Sequence, residues 1–201
     1  MDGQEKILFL GDSITDAGHN LDGEPDSLGD GYVRLAAERL SDRNVRVINK
    51  GHDGFTVPGL LRMLNMDCKG AKPDVVTVLI GCNDAGIVMN TGKSLKEQGF
   101  EENYDLLIRR ILTETGARLL CMGPFIFPEP ARYRLWIPVI REAEAIEKKA
   151  ALKYGVQFIP LHDTLNEAAE REGVREITVD GIHLTPRGAE IVAQEWMRNF
   201  V

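Results

Sequence analysis

The stretch Lys6-Ile7-Leu8-Phe9-Leu10-Gly11-Asp12-Ser13-Ile14-Thr15-Asp16 decides how this chain is read. An apolar run of strand length ends at Gly11, and Ser13 follows two positions later. A strand that stops this abruptly leaves the next residues at a sheet edge, where the serine hydroxyl meets solvent rather than core. In open α/β sheets, ligands bind outside the carboxyl ends of the strands.

Further apolar runs of strand length recur at 45–49, 75–80, 118–122 and 156–160, and segments with helical spacing lie between them. Residues 32–40 place Val33, Ala36, Ala37 and Leu40 on one face, with Asp30 as the expected N-cap. Residues 104–112 repeat the pattern through Leu107, Ile108, Ile111 and Leu112. A longer amphipathic segment, 134–154, carries Ile140, Ala143, Ile146 and Ala150 and stops at Gly155. The last helix is expected to start at Pro186 behind a Thr185 cap and to bury Ile191, Val192 and Trp196. This alternation predicts one α/β domain over residues 1–201. Its expected form is a three-layer α/β/α, flavodoxin-like, doubly wound sheet of five parallel strands in the order 2-1-3-4-5. Residues 20–29 and 86–99 read as polar, glycine-bearing loops, candidates for walls or lids over a substrate.

Composition narrows the function classes. The 201 residues carry 24 Lys and Arg against 31 Asp and Glu, a formal charge of -7, which argues against a nucleic-acid partner. No apolar run approaches the ~18 residues of a membrane span, so no membrane partner is expected. As the sequence is written, the first strand begins too early for a signal peptide to precede it, so none is expected unless an export signal has been removed. Cys68, Cys82 and Cys121 are odd in number and scattered, which fits reduced thiols and a cytoplasmic location. No Cys/His cluster has zinc spacing, so no metal is expected. The sequence leaves a homo-oligomer open.

A serine at a strand exit reads equally as a cap or turn residue until a base is found for it. Asp180-Gly181-Ile182-His183 supplies a carboxylate and an imidazole three positions apart, braced by the helix that starts at Pro186. Asp16-Ala17-Gly18-His19 has the same spacing, but His19 shares the strand-exit turn with Ser13. A general base should approach the hydroxyl from a separate, supported element. His183 is therefore read as the base and His19 as a surface or pocket-rim histidine, while His52 and His162 have no carboxylate at that spacing. Ester attack also needs donors for the oxyanion. Asn49-Lys50-Gly51-His52-Asp53-Gly54-Phe55-Thr56 follows the second strand, and Gly54 allows close backbone approach. Gly81-Cys82-Asn83-Asp84 follows the third, and the Asn83 amide can donate. Thr15 stands where a Gly-x-Ser-x-Gly elbow would carry its second glycine, so the α/β-hydrolase signature is absent.

These blocks in this order resemble the SGNH hydrolases, also called the GDSL family, with Ile14 in place of the usual Leu. The resemblance spans nearly the whole chain. It implies a serine esterase in which Ser13 is the nucleophile, His183 the base and Asp180 its orienting acid. It also implies an oxyanion hole made by the Ser13 and Gly54 backbone N–H groups and the Asn83 side chain, with no metal or organic cofactor. The segments Leu28-Gly29-Asp30-Gly31-Tyr32-Val33 and Ile48-Asn49-Lys50-Gly51 look most like bacterial xylan and xylo-oligosaccharide acetylesterases. Val179 departs from these, which tend to carry Trp before the block-five Asp. The expected substrate is a small-molecule or oligosaccharide ester with a short acyl group. Asp12, Phe55, Phe125 and Trp136, with Phe127 nearby, are its candidate contacts. A lysophospholipase or acyl-CoA thioesterase is the alternative, and a non-catalytic carbohydrate-binding relative is the remote one.

Overall fold

Ile7 and Phe9 face one side of strand β1 (Glu5–Gly11), Leu8 and Leu10 face the other, and all four are buried. A strand apolar on both faces needs helices above and below it. The computed structural model describes residues 3–19, 23–24 and 26–200. After β1 come α1 (Ser13–Asp16), α2 (Tyr32–Arg39), β2 (Val45–Gly51), α3 (Val57–Ala71) and β3 (Val75–Leu79). Next are α4 (Cys82–Thr91), α5 (Phe100–Thr115) and β4 (Arg118–Met122), then a 3-10 turn (Ala131–Leu135) and α6 (Ile137–Lys153). The chain closes with β5 (Gln157–Ile159), α7 (His162–Glu172), α8 (Val174–Ile177) and α9 (Pro186–Phe200).

The five strands pair in parallel in the order β2-β1-β3-β4-β5, which is the doubly wound, flavodoxin-like arrangement expected. One core lies between the sheet and α2, α7, α8 and α9, the other between the sheet and α3, α5 and α6. Trp196 of α9 is fully buried and donates its indole N–H to Thr77 Oγ1 of β3 at 2.9 Å. That bond fixes α9, and with it the loop just before it, against the middle of the sheet. Cys68, Cys82 and Cys121 are all buried and unpaired. Among the described residues, no helix is long and apolar enough to cross a membrane.

Several expectations are corrected. Residues 86–99 are not one loop: α4 runs to Thr91, because the residues after Gly81 continue as a helix, and only the remainder is turn. Gly86 lies inside that helix with the Trp136 ring over it, 3.2 Å from where a Cβ would stand. Of the loop expected at 20–29, residues 20–22 and 25 lie outside the described residues. The cap of α2 falls on Gly31 rather than Asp30, whose side chain sits beside Arg34 instead. Helices α3 and α7, not singled out from the sequence, bury Leu60 and Leu64, and Leu165 and Ala168, respectively.

Candidate active site

The order of strands reverses between β1 and β3, which opens a crevice at their carboxyl ends. Ser13 enters it on α1, a single turn capped by Asp12, whose Oδ1 accepts from Ile14 N at 3.0 Å. The turn sits tightly on the strands. A Cβ on Gly11 would fall 2.1 Å from Thr15 Oγ1, and one on Gly51 would fall 2.1 Å from Asp16 N. Asn49 secures the turn from β2: its Nδ2 donates to Thr15 O at 2.8 Å and Leu28 O at 2.9 Å, and its Oδ1 accepts from Gly51 N at 2.8 Å. The sequence places Asn49 in the second block without a role. Only the pairing of β2 with β1 brings it beside the turn that carries Ser13.

His183 reaches Ser13 from the far end of the chain, with Nε2 3.1 Å from the seryl Oγ. Its Nδ1 lies 2.7 Å from Asp180 Oδ2. The other carboxylate oxygen accepts from the backbone N–H groups of Ile182 at 2.9 Å and His183 at 2.8 Å. Burial works to raise the Asp180 carboxyl, but the bonds from the His183 ring, His183 N and Ile182 N outweigh it. Its pKa falls below the usual carboxylate value. Gly181 makes this loop feasible: its φ is +97°, and a Cβ there would stand 2.0 Å from Glu129 O. Thr178 closes the loop's base, donating its hydroxyl to His183 O and accepting from Gly181 N.

The oxyanion candidates arrive from the other two strand exits. Gly54 follows β2 with φ +71°. Asn83 opens α4 and donates one Nδ2 hydrogen to Phe55 O at 2.9 Å. A primary amide carries two such hydrogens, so one remains for a ligand. Beside it, both carboxylate oxygens of Asp84 lie 3.2 Å from Val57 N. A cavity of about 260 Å³ touches Ser13 and His183 and is lined also by Ala17, Tyr32, Leu184 and Pro186. A larger one, about 810 Å³, lies between α3 and α5 at the opposite edge of the sheet and includes neither Ser13 nor His183. Among the described residues no cluster of three or more His, Cys, Asp or Glu side chains is arranged to hold a metal ion.

Some expected contacts are not where substrate could reach them. Asp12 is 1% exposed, and its carboxyl is spent on capping α1. Burial pushes that carboxyl up to about 7, against the opposing bond from Ile14 N. Phe125 and Phe127 are buried in the core on the side of the sheet that carries α2, α7, α8 and α9, so they are packing residues. Phe55 and Trp136 keep part of their surface: Phe55 stacks on His52 at 4.4 Å, and Trp136 stands edge-on to Tyr133 at 5.0 Å. His52 does have a carboxylate partner, Asp67 of α3 at 3.0 Å, which sequence spacing hides. His19 is not a surface residue, since its side chain is 1% exposed.

Comparison with known proteins follows the same lines. The GDSL-like lipase/acylhydrolase family matches over residues 9–191. An acetylxylan esterase from Geobacillus stearothermophilus is 27% identical over 208 residues, covering 96% of this chain and 93% of that one. A solved structure from Parabacteroides merdae, described as a GDSL-like lipase, superposes with a TM-score of 0.89 at 25% identity, covering 98% and 96% of the two chains. A variant of the Geobacillus stearothermophilus esterase gives a TM-score of 0.82 at 27% identity, covering 98% and 94%. Other solved forms of that esterase are catalytic mutants in which a serine, an aspartate or a histidine is replaced by alanine. The aspartate and histidine stand three positions apart there, as Asp180 and His183 do here.

Proposed function

Because the chain belongs to the GDSL-like lipase/acylhydrolase family, and so is a hydrolase acting on esters, we propose that it removes short acyl groups, acetyl foremost, from carbohydrate hydroxyls through an acyl-enzyme on Ser13. The observation that carries this reading is the unbroken chain from Ser13 Oγ through the His183 ring to Asp180, at 3.1 and 2.7 Å. His183 Nε2 takes the seryl proton as Oγ attacks the ester carbonyl, and the carbonyl electrons move onto oxygen. The Ser13 and Gly54 N–H groups and the free Asn83 N–H hold that oxyanion. As the tetrahedral adduct collapses, Nε2 returns its proton to the departing alcohol. Water then repeats the sequence on the acyl-serine, releasing the acid. Asp180 keeps the proton on Nδ1, so that Nε2 is the basic nitrogen.

Two features support a short acyl group on a sugar. The cavity beside Ser13 and His183 is small, about 260 Å³, and is walled by α1, α2 and the start of α9. One relative, matched over 93% of its length, is an acetylxylan esterase. The test compares p-nitrophenyl acetate with p-nitrophenyl octanoate, then measures acetate release from acetylated xylo-oligosaccharides. Preference for the acetate and release of acetic acid are expected. A strong preference for octanoate would shift the reading to a lysophospholipase or thioesterase.

A further inference from the structure

Gly54 can serve an oxyanion only if its loop is held still, and the loop is held by more than its own turn. His52 N donates to Gly11 O at 3.0 Å, Asp53 N to Asp16 Oδ2 at 3.2 Å, and Phe55 N back to His52 O at 3.1 Å. On the far side the grip comes from two consecutive residues of α4. Asn83 holds Phe55 O, and Asp84 holds Val57 N with both carboxylate oxygens at 3.2 Å. Val57 begins α3, and the residue that should cap that helix, Thr56, makes no capping bond with its own side chain. A carboxylate from another element therefore takes the first N–H of α3, at the positive end of the helix dipole.

The placement is costly to maintain. Asp84 is 3% exposed, its carboxyl is pushed up to about 7 by burial, and the buried carboxyls of Asp12 and Glu147 are close enough to interact with it. An acidic group kept in such surroundings needs a reason beyond packing. We propose that Asp84 is a positioning residue of the reaction: by anchoring Val57 N it fixes the loop on which Gly54 presents its N–H, while Asn83 anchors the same loop at Phe55 O. Asp84 touches no reacting atom. It acts through Gly54, and the inference rests on the oxyanion hole assigned above.

The test uses the whole chain, p-nitrophenyl acetate, and phenylboronic acid, whose adduct with a nucleophilic serine is tetrahedral like the transition state. Asp84→Ala is expected to lower kcat by about 10–100-fold with KM within about threefold, because a small misplacement of one donor weakens only the transition state. Boronate affinity should fall by the same factor as kcat/KM. Asp84→Asn keeps an oxygen that can accept from Val57 N and should stay within about fivefold of the parent kcat. If Asp84→Ala yields no folded protein, Asp84→Ser, whose hydroxyl is too short to reach Val57, takes its place. The inference is overturned if the folded Ala or Ser variant keeps kcat within about twofold, if Asn is as damaging as Ala, or if kcat falls while boronate affinity does not. Fluorophosphonate labelling separates this from the underlying reading. Labelled Ser13 with a fully active Asp84→Ala sinks the positioning role alone, whereas unlabelled Ser13 with an active Ser13→Ala protein sinks both.

Discussion

The chain contains the same pattern twice, Asp16-Ala17-Gly18-His19 and Asp180-Gly181-Ile182-His183, and the two copies come to opposite ends. Both aspartates fold the backbone alike. Asp16 Oδ1 accepts from the N–H groups of Gly18 and His19, and Asp180 Oδ1 accepts from those of Ile182 and His183. They part at the second oxygen. Asp180 Oδ2 is left to hold the His183 ring, whereas Asp16 Oδ2 takes the Asp53 N–H of the neighbouring loop. The His19 ring is 3.2 Å from Asp16 Oδ1 but makes no hydrogen bond among the described residues, and its side chain is 1% exposed. The His183 side chain is about half exposed, at 49%, and meets Ser13. In both copies the Asp-x-x-His spacing forms an Asx turn, while the surroundings of the second oxygen determine whether the carboxylate holds the imidazole.

The sharpest way to break this comparison is to remove each histidine. His183→Ala should lower kcat on p-nitrophenyl acetate by on the order of 10⁶, as loss of a triad base does in other serine hydrolases. His19→Ala should stay within about tenfold, because its ring reaches no reacting group. Equal losses would mean that the 3.1 Å contact does not mark the working base. The carboxylates give the next contrast. Asp180→Asn should cost roughly 10⁴ in kcat by favouring the wrong tautomer, and Asp16→Asn about tenfold at most, since it keeps the turn-forming oxygen and loses only one of the several bonds on the Gly54 loop.

Removing the proposed oxyanion donor is a smaller perturbation. Asn83→Ala should lower kcat by roughly 10²–10³. An Asn83→Ala enzyme at the parent rate would remove that side chain from the mechanism, both as a donor and as an anchor of the Gly54 loop.

The smallest effect is on stability, and it sets Asp180 against Asp12. The Asp180 carboxyl is lowered, so its stabilisation is complete above the unfolded pKa and is lost as pH falls through the folded one. Asp12 has the opposite sign. Its carboxyl is raised from 3.8 to about 7, so the folded state holds the proton more tightly. Stability then declines as pH rises from the unfolded value to the folded one. Asp12→Asn keeps the cap and removes the charge. Its melting temperature should exceed the parent's by several degrees near pH 8, about 1–3 kcal/mol, with the gap closing toward pH 4. A constant gap across that range would show that the Asp12 carboxyl does not titrate in this window.

Much of this was legible in one dimension because strand and helix periodicities are local properties. The apolar runs marked the five strands, and their alternation with helices implied a parallel sheet with its ligand edge at the strand exits. Ser13 and Asn83 could be singled out as candidates because each follows a run of strand length, and Asp180 and His183 because of their spacing just before the Pro186 helix. The aromatics could not be sorted in the same way. Phe125 and Phe127 follow β4 as readily as a pocket wall would, and only their burial in the folded chain shows them to be core.

By itself, then, the sequence determined the layers, the strand order and the turns that carry polar side chains, since these follow from hydrophobic spacing and backbone preferences. The tertiary structure alone decided that Asp12 is a buried cap and that Asn49 and Asp84 grip loops distant in sequence, and it set His183, which the sequence already favoured over His19, against the serine. The reason is that a hydrogen bond between residues 170 positions apart leaves no periodic trace, and exists only once the cores on both faces of the sheet have set where the strand ends lie.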